Sequence, residues 1–100
     1  MLMAYTVQQF TESLGADQPP ADLDAPLAGL WWDAKGDWDA AHKCVDHLED
    51  QAGMRVHAYL HRKEGDLGNA GYWYRKVGRT VPDLSLEAEH ELLVKELLAD

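Results

Sequence analysis

Leu27-Ala-Gly-Leu-Trp-Trp-Asp-Ala-Lys-Gly36-Asp-Trp-Asp-Ala-Ala41 returns further along as Val56-His-Ala-Tyr-Leu-His-Arg-Lys-Glu-Gly65-Asp-Leu-Gly-Asn-Ala70, with Gly-Asp and the closing Ala in register. The two glycines stand 29 residues apart. In each copy an apolar run at helical spacing stops at Gly-Asp, where glycine supplies a left-handed stop and aspartate can cap the next helix. A second helical run follows, with a small residue early in it. Self-similarity of this kind is the signature of helical hairpins stacked as repeats.

Outward from these copies, the first hairpin is expected over about 25–50, as helices from Ala25 to Lys35 and Asp37 to Asp50, with Pro26 suited to the first turn. The second is expected over about 54–78, as helices from Met54 to Glu64 and Asp66 to Val77, with Gln51-Ala-Gly53 as the break between hairpins. Gly78 and Pro82 end that run. Ser85 to Leu98 then reads as a capping helix over the last hairpin, because Leu86, Leu93 and Leu97 share one stripe. Residues 1–15 read as an N-terminal helix, centred on Tyr5 to Leu14: Thr6 and Gln9 have capping-box spacing, and Gly15 can take the left-handed stop. Residues 16–25, with Pro19-Pro20, read as an extended linker and hinge. Period-two alternation never persists, so the expected class is all-α, with residues 25–100 forming the helical-repeat domain.

Helix, Gly-Asp turn, and a helix with a small residue five positions after the glycine together resemble the tetratricopeptide repeat. Gly36 and Ala41 match in the first unit and Gly65 and Ala70 in the second; Gly29 and Ala58 take the small position of the first helix, and Tyr74 the aromatic position of the last. The family repeats at about 34 residues, so the shorter spacing here implies a shortened connection around Gln51 to Gly53. Val56 to Asp66, continuing to Gly71-Tyr-Trp-Tyr-Arg75, also resembles a group of small bacterial proteins of unassigned function. The tetratricopeptide resemblance implies binding of a protein segment or peptide in a groove built by the first helix of each unit. Leu30, Asp33, Arg55, Tyr59, Arg62 and Lys63 would line that groove, its cations facing a carboxylate terminus or an acidic segment.

Charge narrows the partners. Nine Lys and Arg stand against 18 Asp and Glu, a net charge of −9, which opposes nucleic acid and anionic membrane surfaces. No run approaches the about 20 apolar residues a membrane helix needs. Met1-Leu-Met-Ala-Tyr-Thr has no basic segment followed by an apolar stretch, and Cys44 stands alone, so a reducing, cytoplasmic setting is expected. Cys44 itself reads as a small packing residue.

Histidine is the most suggestive class. His57 and His61 are four apart, on one helical face. The repeat pattern turns that face toward the helix carrying His42, with Asp46 one turn further along. Three imidazoles and a carboxylate suit zinc or another first-row divalent ion with a position left for water; no other cofactor is expected. The competing expectation is a packed cluster whose histidines bond to carbonyls or to tyrosines, with Tyr59, Tyr72 and Tyr74 as candidates. Without metal, His57 or His61 beside Asp33, Asp37 or Asp46 could act as general base, although no nucleophile is evident. Trp31, Tyr72, Trp73 and Arg75 are the residue types enriched at interfaces, and read as a partner or homodimer surface. The function expected from sequence is thus a non-catalytic binding module. The alternative is a metal-dependent or general-base hydrolase centred on His42, His57 and His61.

Overall fold

The computed structural model describes residues 5–98, which form six helices and no strand among them. They are α1 (Val7–Ser13), α2 (Ala25–Ala34), α3 (Trp38–Val45), α4 (Gln51–Glu64), α5 (Leu67–Lys76) and α6 (Leu86–Leu98). The expected all-α class is what folds. The expectations for Met1 to Ala4, Ala99 and Asp100 fall outside the described residues.

Local chemistry sets the helix ends. Asp24, Asp37, Asp50 and Asp66 each accept a backbone N–H of the turn they precede, at the N-termini of α2 to α5. Each such cap is worth about 1 kcal/mol. Pro26 lies in the first turn of α2. Gly36 (φ 86°) and Gly65 (φ 92°) adopt the left-handed conformation that reverses the chain within each hairpin, α2 against α3 and α4 against α5. The Thr6–Gln9 capping box is present in full. Gly15, however, is not left-handed: α1 ends through Leu14 in a right-handed conformation, and only Gly36, Gly65 and Gly78 have positive φ among the described residues.

The break between hairpins also lies earlier than expected. α3 stops at Val45 and α4 begins at Gln51, so Gln51-Ala-Gly53 is the first turn of a helix rather than a gap. Asp50 caps it through the Gly53 N–H, and a Cβ at residue 53 would lie 2.5 Å from Leu48 Cβ. Glycine is there for close approach, not for breaking.

One core gathers Phe10, Leu30, Trp31, Ala41, Val45, Val56, Tyr59, Leu60, Leu93 and Val94. Complete burial of an aliphatic side chain such as Leu30 or Leu60 contributes about 1.5–3 kcal/mol. α2 and α3 meet closely at Gly29, where a Cβ would come 3.2 Å from Val45 Cγ1 and 3.3 Å from the Ala41 carbonyl oxygen. α6 does not close the last hairpin alone; it crosses the first helix of both, contacting α4 and α2. α1 is tied to the body, with Phe10 buried and the Trp31 indole N–H donating to Ser13 Oγ at 3.0 Å. Lys35 spans the linker's start, donating to the Leu14 and Ala16 carbonyls, and the Tyr5 hydroxyl donates to Asp22 at 2.7 Å across it. The expected hinge is stapled at both ends. No helix among the described residues is long and apolar enough to cross a membrane.

Candidate metal centre

His42, on the second helix of the first hairpin, meets His57 and His61, on the first helix of the second. One ring nitrogen of each lies within 4.8 Å of the others. The closest pair, His42 Nε2 and His57 Nε2, is 3.1 Å apart. A tetrahedral zinc ion with Zn–N bonds of about 2.0–2.1 Å holds its ligand nitrogens about 3.3 Å apart, a separation the closest pair already approaches. His57 and His61 are buried and His42 is half-buried, so the cluster is reached from the His42 side.

Outer partners favour the ligating form. His61 Nδ1 donates to Glu64 Oε2 at 2.6 Å, which directs Nε2, the other ring nitrogen, to the ligating role. Asp46 Oδ2 stands 3.8 Å from His42 Nδ1, too far for a hydrogen bond but near enough to favour the proton on that nitrogen. Asp46 is therefore an outer partner, not a fourth member of the cluster. Burial holds His57 well below the usual imidazole range, at about 4, helped by the neighbouring His61 and His42, so the ring is neutral at pH 7. His57 Nδ1 is a buried nitrogen with no hydrogen-bond partner among the described residues. The polar capacity of His57 is thus met only by another imidazole, an arrangement that buried polar groups normally avoid.

Two indoles wall the cluster. Trp38 stacks on His42 (centroids 4.8 Å, planes 9° apart) and Trp73 on His57 (4.2 Å, 27°). The Trp38 indole N–H donates to the Leu60 carbonyl at 2.8 Å, which fixes its ring. Trp73 was expected at a partner surface rather than beside the histidines, and neither Trp38 nor Glu64 was singled out from sequence; the position of Glu64 three residues after His61 is the signal that could have found it. None of Tyr59, Tyr72 and Tyr74 bonds to the histidine cluster among the described contacts. His47 is exposed. His90 lies elsewhere, donating from Nε2 to the Leu30 carbonyl at 2.9 Å.

Of the expected groove, Asp33, Tyr59 and Lys63 line a cleft of about 280 Å³ that α6 borders through Leu86, Glu87 and His90. Leu30, Asp33 and Tyr59 are buried, because α6 lies across the face they share. The Asp33 carboxylate accepts from the Tyr59 hydroxyl at 2.7 Å and from Lys63 Nζ at 2.8 Å. Arg62 pairs with buried Glu89 at 2.7 Å and also donates to the Leu84 carbonyl, and Arg55 pairs with Glu96 at 2.7 Å. The cations expected to wait for an acidic partner are neutralised by the chain's own α6 and α2. Asp33 is likewise committed to Tyr59 and Lys63, so it orients neither His57 nor His61 as a general base. Of the aromatic set, Trp31 is fully buried and belongs to the core, Trp73 is half-buried against His57, and Tyr72 and Arg75 are exposed. Cys44 packs against the core, and burial pushes its thiol pKa up, away from nucleophilic use. Compared with family models, curated proteins and solved structures, the chain finds no match.

Proposed function

We propose that this chain binds a divalent first-row transition ion through His42, His57 and His61. The observation that carries the reading is the convergence of three imidazole nitrogens within 4.8 Å, two of the rings buried. Imidazole suits zinc, copper, nickel and iron, and three protein ligands leave a coordination position for water or substrate. The Glu64 carboxylate hydrogen-bonded to the outer nitrogen of His61 is the kind of partner that orients a ligating histidine. The expected peptide groove is narrowed by α6 to a cleft lined by Asp33, Tyr59 and Lys63, with its cations paired to the chain's own carboxylates.

Calorimetric titration of tag-free, chelator-stripped protein with Zn²⁺, Ni²⁺ and Cu²⁺ tests this reading. The expected result is 1:1 binding that His57→Ala and His61→Ala abolish. Because Trp38 and Trp73 stack on the ligating rings, Cu²⁺ should also quench tryptophan fluorescence with the same stoichiometry. Binding that survives both substitutions would place the ion elsewhere and end the proposal.

A further inference from the structure

A second polar cleft lies on the far side of the second hairpin, where the chain between α5 and α6 folds back. Its volume is about 420 Å³, and Arg55, Tyr74, Arg79, Thr80, Glu89 and Leu92 line it, with Gly78, Pro82 and Leu84. Small-molecule sites typically fall between about 300 and 1,000 Å³. Of the four arginines in the chain, two line this cleft and a third, Arg62, holds one of its walls.

The charges at the cleft are unevenly committed. Glu89 is fully engaged: Oε1 accepts from Arg62 at 2.7 Å and Oε2 from the Tyr74 hydroxyl at 2.6 Å, so its carboxylate has no strong demand for a further cation. Arg55 gives one guanidinium nitrogen to Glu96 and keeps further N–H donors. Arg79 is exposed and makes no ion pair among the described residues, and the Thr80 hydroxyl makes no hydrogen bond among them. The backbone N–H of Arg79 is held by the Tyr74 carbonyl at 2.9 Å, which fixes the start of this loop. The opposite lining is apolar, with Leu84 and Leu92 both partly exposed.

We propose that this cleft binds a small organic acid, its carboxylate held by Arg79, the spare donors of Arg55 and Thr80, and its apolar body lying on Pro82, Leu84 and Leu92. Arginine matches a carboxylate with paired donors. A polyanion is a poor occupant, because the rest of the chain carries strong negative charge. The fit is to one negative group joined to a hydrocarbon body.

The test is a two-dimensional amide NMR titration of the full chain in EDTA, so that the outcome does not depend on the histidine cluster. The probes are hexanoate, its neutral analogue hexanamide, and inorganic phosphate. Saturable hexanoate shifts at residues 78–80 and Leu92, weakened at least about tenfold in Arg79→Gln and for hexanamide, are expected. Absence of saturable hexanoate shifts there would overturn the proposal, as would equal binding of hexanamide or undiminished binding by Arg79→Gln. Phosphate binding as well as hexanoate would overturn the role given to the apolar lining.

Discussion

His42 Nε2 and His57 Nε2 face each other at 3.1 Å across the junction of the two hairpins. Two neutral imidazoles can share one proton at that distance. An ion between the rings would use both inward lone pairs at once. That relationship joins the fold to the proposed function, because it exists only when the second helix of one hairpin packs on the first helix of the next.

The outer carboxylate of His61 supplies a first prediction. Glu64→Gln keeps the side-chain shape and one acceptor but removes the charge opposite Nδ1. Zinc affinity should fall by about 10- to 100-fold with helical circular dichroism unchanged. Calorimetry that finds the affinity of this variant equal to wild type would remove Glu64 from the site.

A pH prediction follows from His57. Its ordinary pKa of 6.5 falls to about 4 in the folded chain, chiefly through burial. Between those values the unfolded chain binds more protons, so the contribution of His57 to stability is complete above 6.5 and is lost as pH falls toward 4. Thermal melts of metal-free protein should show a smaller decline in Tm over this window for His57→Gln than for wild type. Parallel curves would contradict the assignment.

Two buried tyrosine hydroxyls serve different carboxylates, Tyr59 on Asp33 and Tyr74 on Glu89. Burial and these hydrogen bonds push both tyrosine pKa values up, so the hydroxyls remain donors throughout the neutral range. Tyr59→Phe and Tyr74→Phe should each cost about 1–3 kcal/mol. Their effects should add to within about 0.5 kcal/mol because they share no hydrogen-bond partner. Urea denaturation of the two single variants and the double variant measures both quantities, and a large coupling would show that the Asp33 and Glu89 networks act as one.

Two glycines in helices should respond oppositely to alanine. At Gly68, in the first turn of α5, a Cβ meets nothing within 4 Å, so Gly68→Ala should stabilise by about 0.4–1 kcal/mol through the unfolded chain. At Gly53 a Cβ would lie 2.5 Å from Leu48 Cβ and 2.6 Å from the capping Asp50 oxygen. Gly53→Ala should therefore lower Tm, with loss of about 1 kcal/mol or more from the cap alone. A rise in Tm for Gly53→Ala would refute the close approach at this turn.

The hairpins were legible because their signals are local. Gly36-Asp37 and Gly65-Asp66 state a stop and a start within two residues, and His57 and His61 share a face by spacing alone. His42 came within reach once the hairpins were paired. The position of α6 was not legible: Leu86, Leu93 and Leu97 mark an apolar stripe without naming the surface it covers. That surface depends on distant contacts, with Leu93 and Val94 entering the core and Arg55–Glu96 and Arg62–Glu89 pairing across it, and it buried Leu30, Asp33 and Tyr59 of the expected groove. Gly53 misled for a similar reason, since low helix propensity was outweighed by its contact with Leu48 and its capping bond to Asp50.

The most direct test of the proposed metal centre is histidine-selective ¹⁵N NMR, comparing ring nitrogens before and after one equivalent of Zn²⁺. The account predicts that the Nε2 signals of His42, His57 and His61 move together to metal-bound positions, while those of His47 and His90 stay. Zinc that leaves the three Nε2 signals unmoved, or shifts His47 or His90 instead, would contradict it.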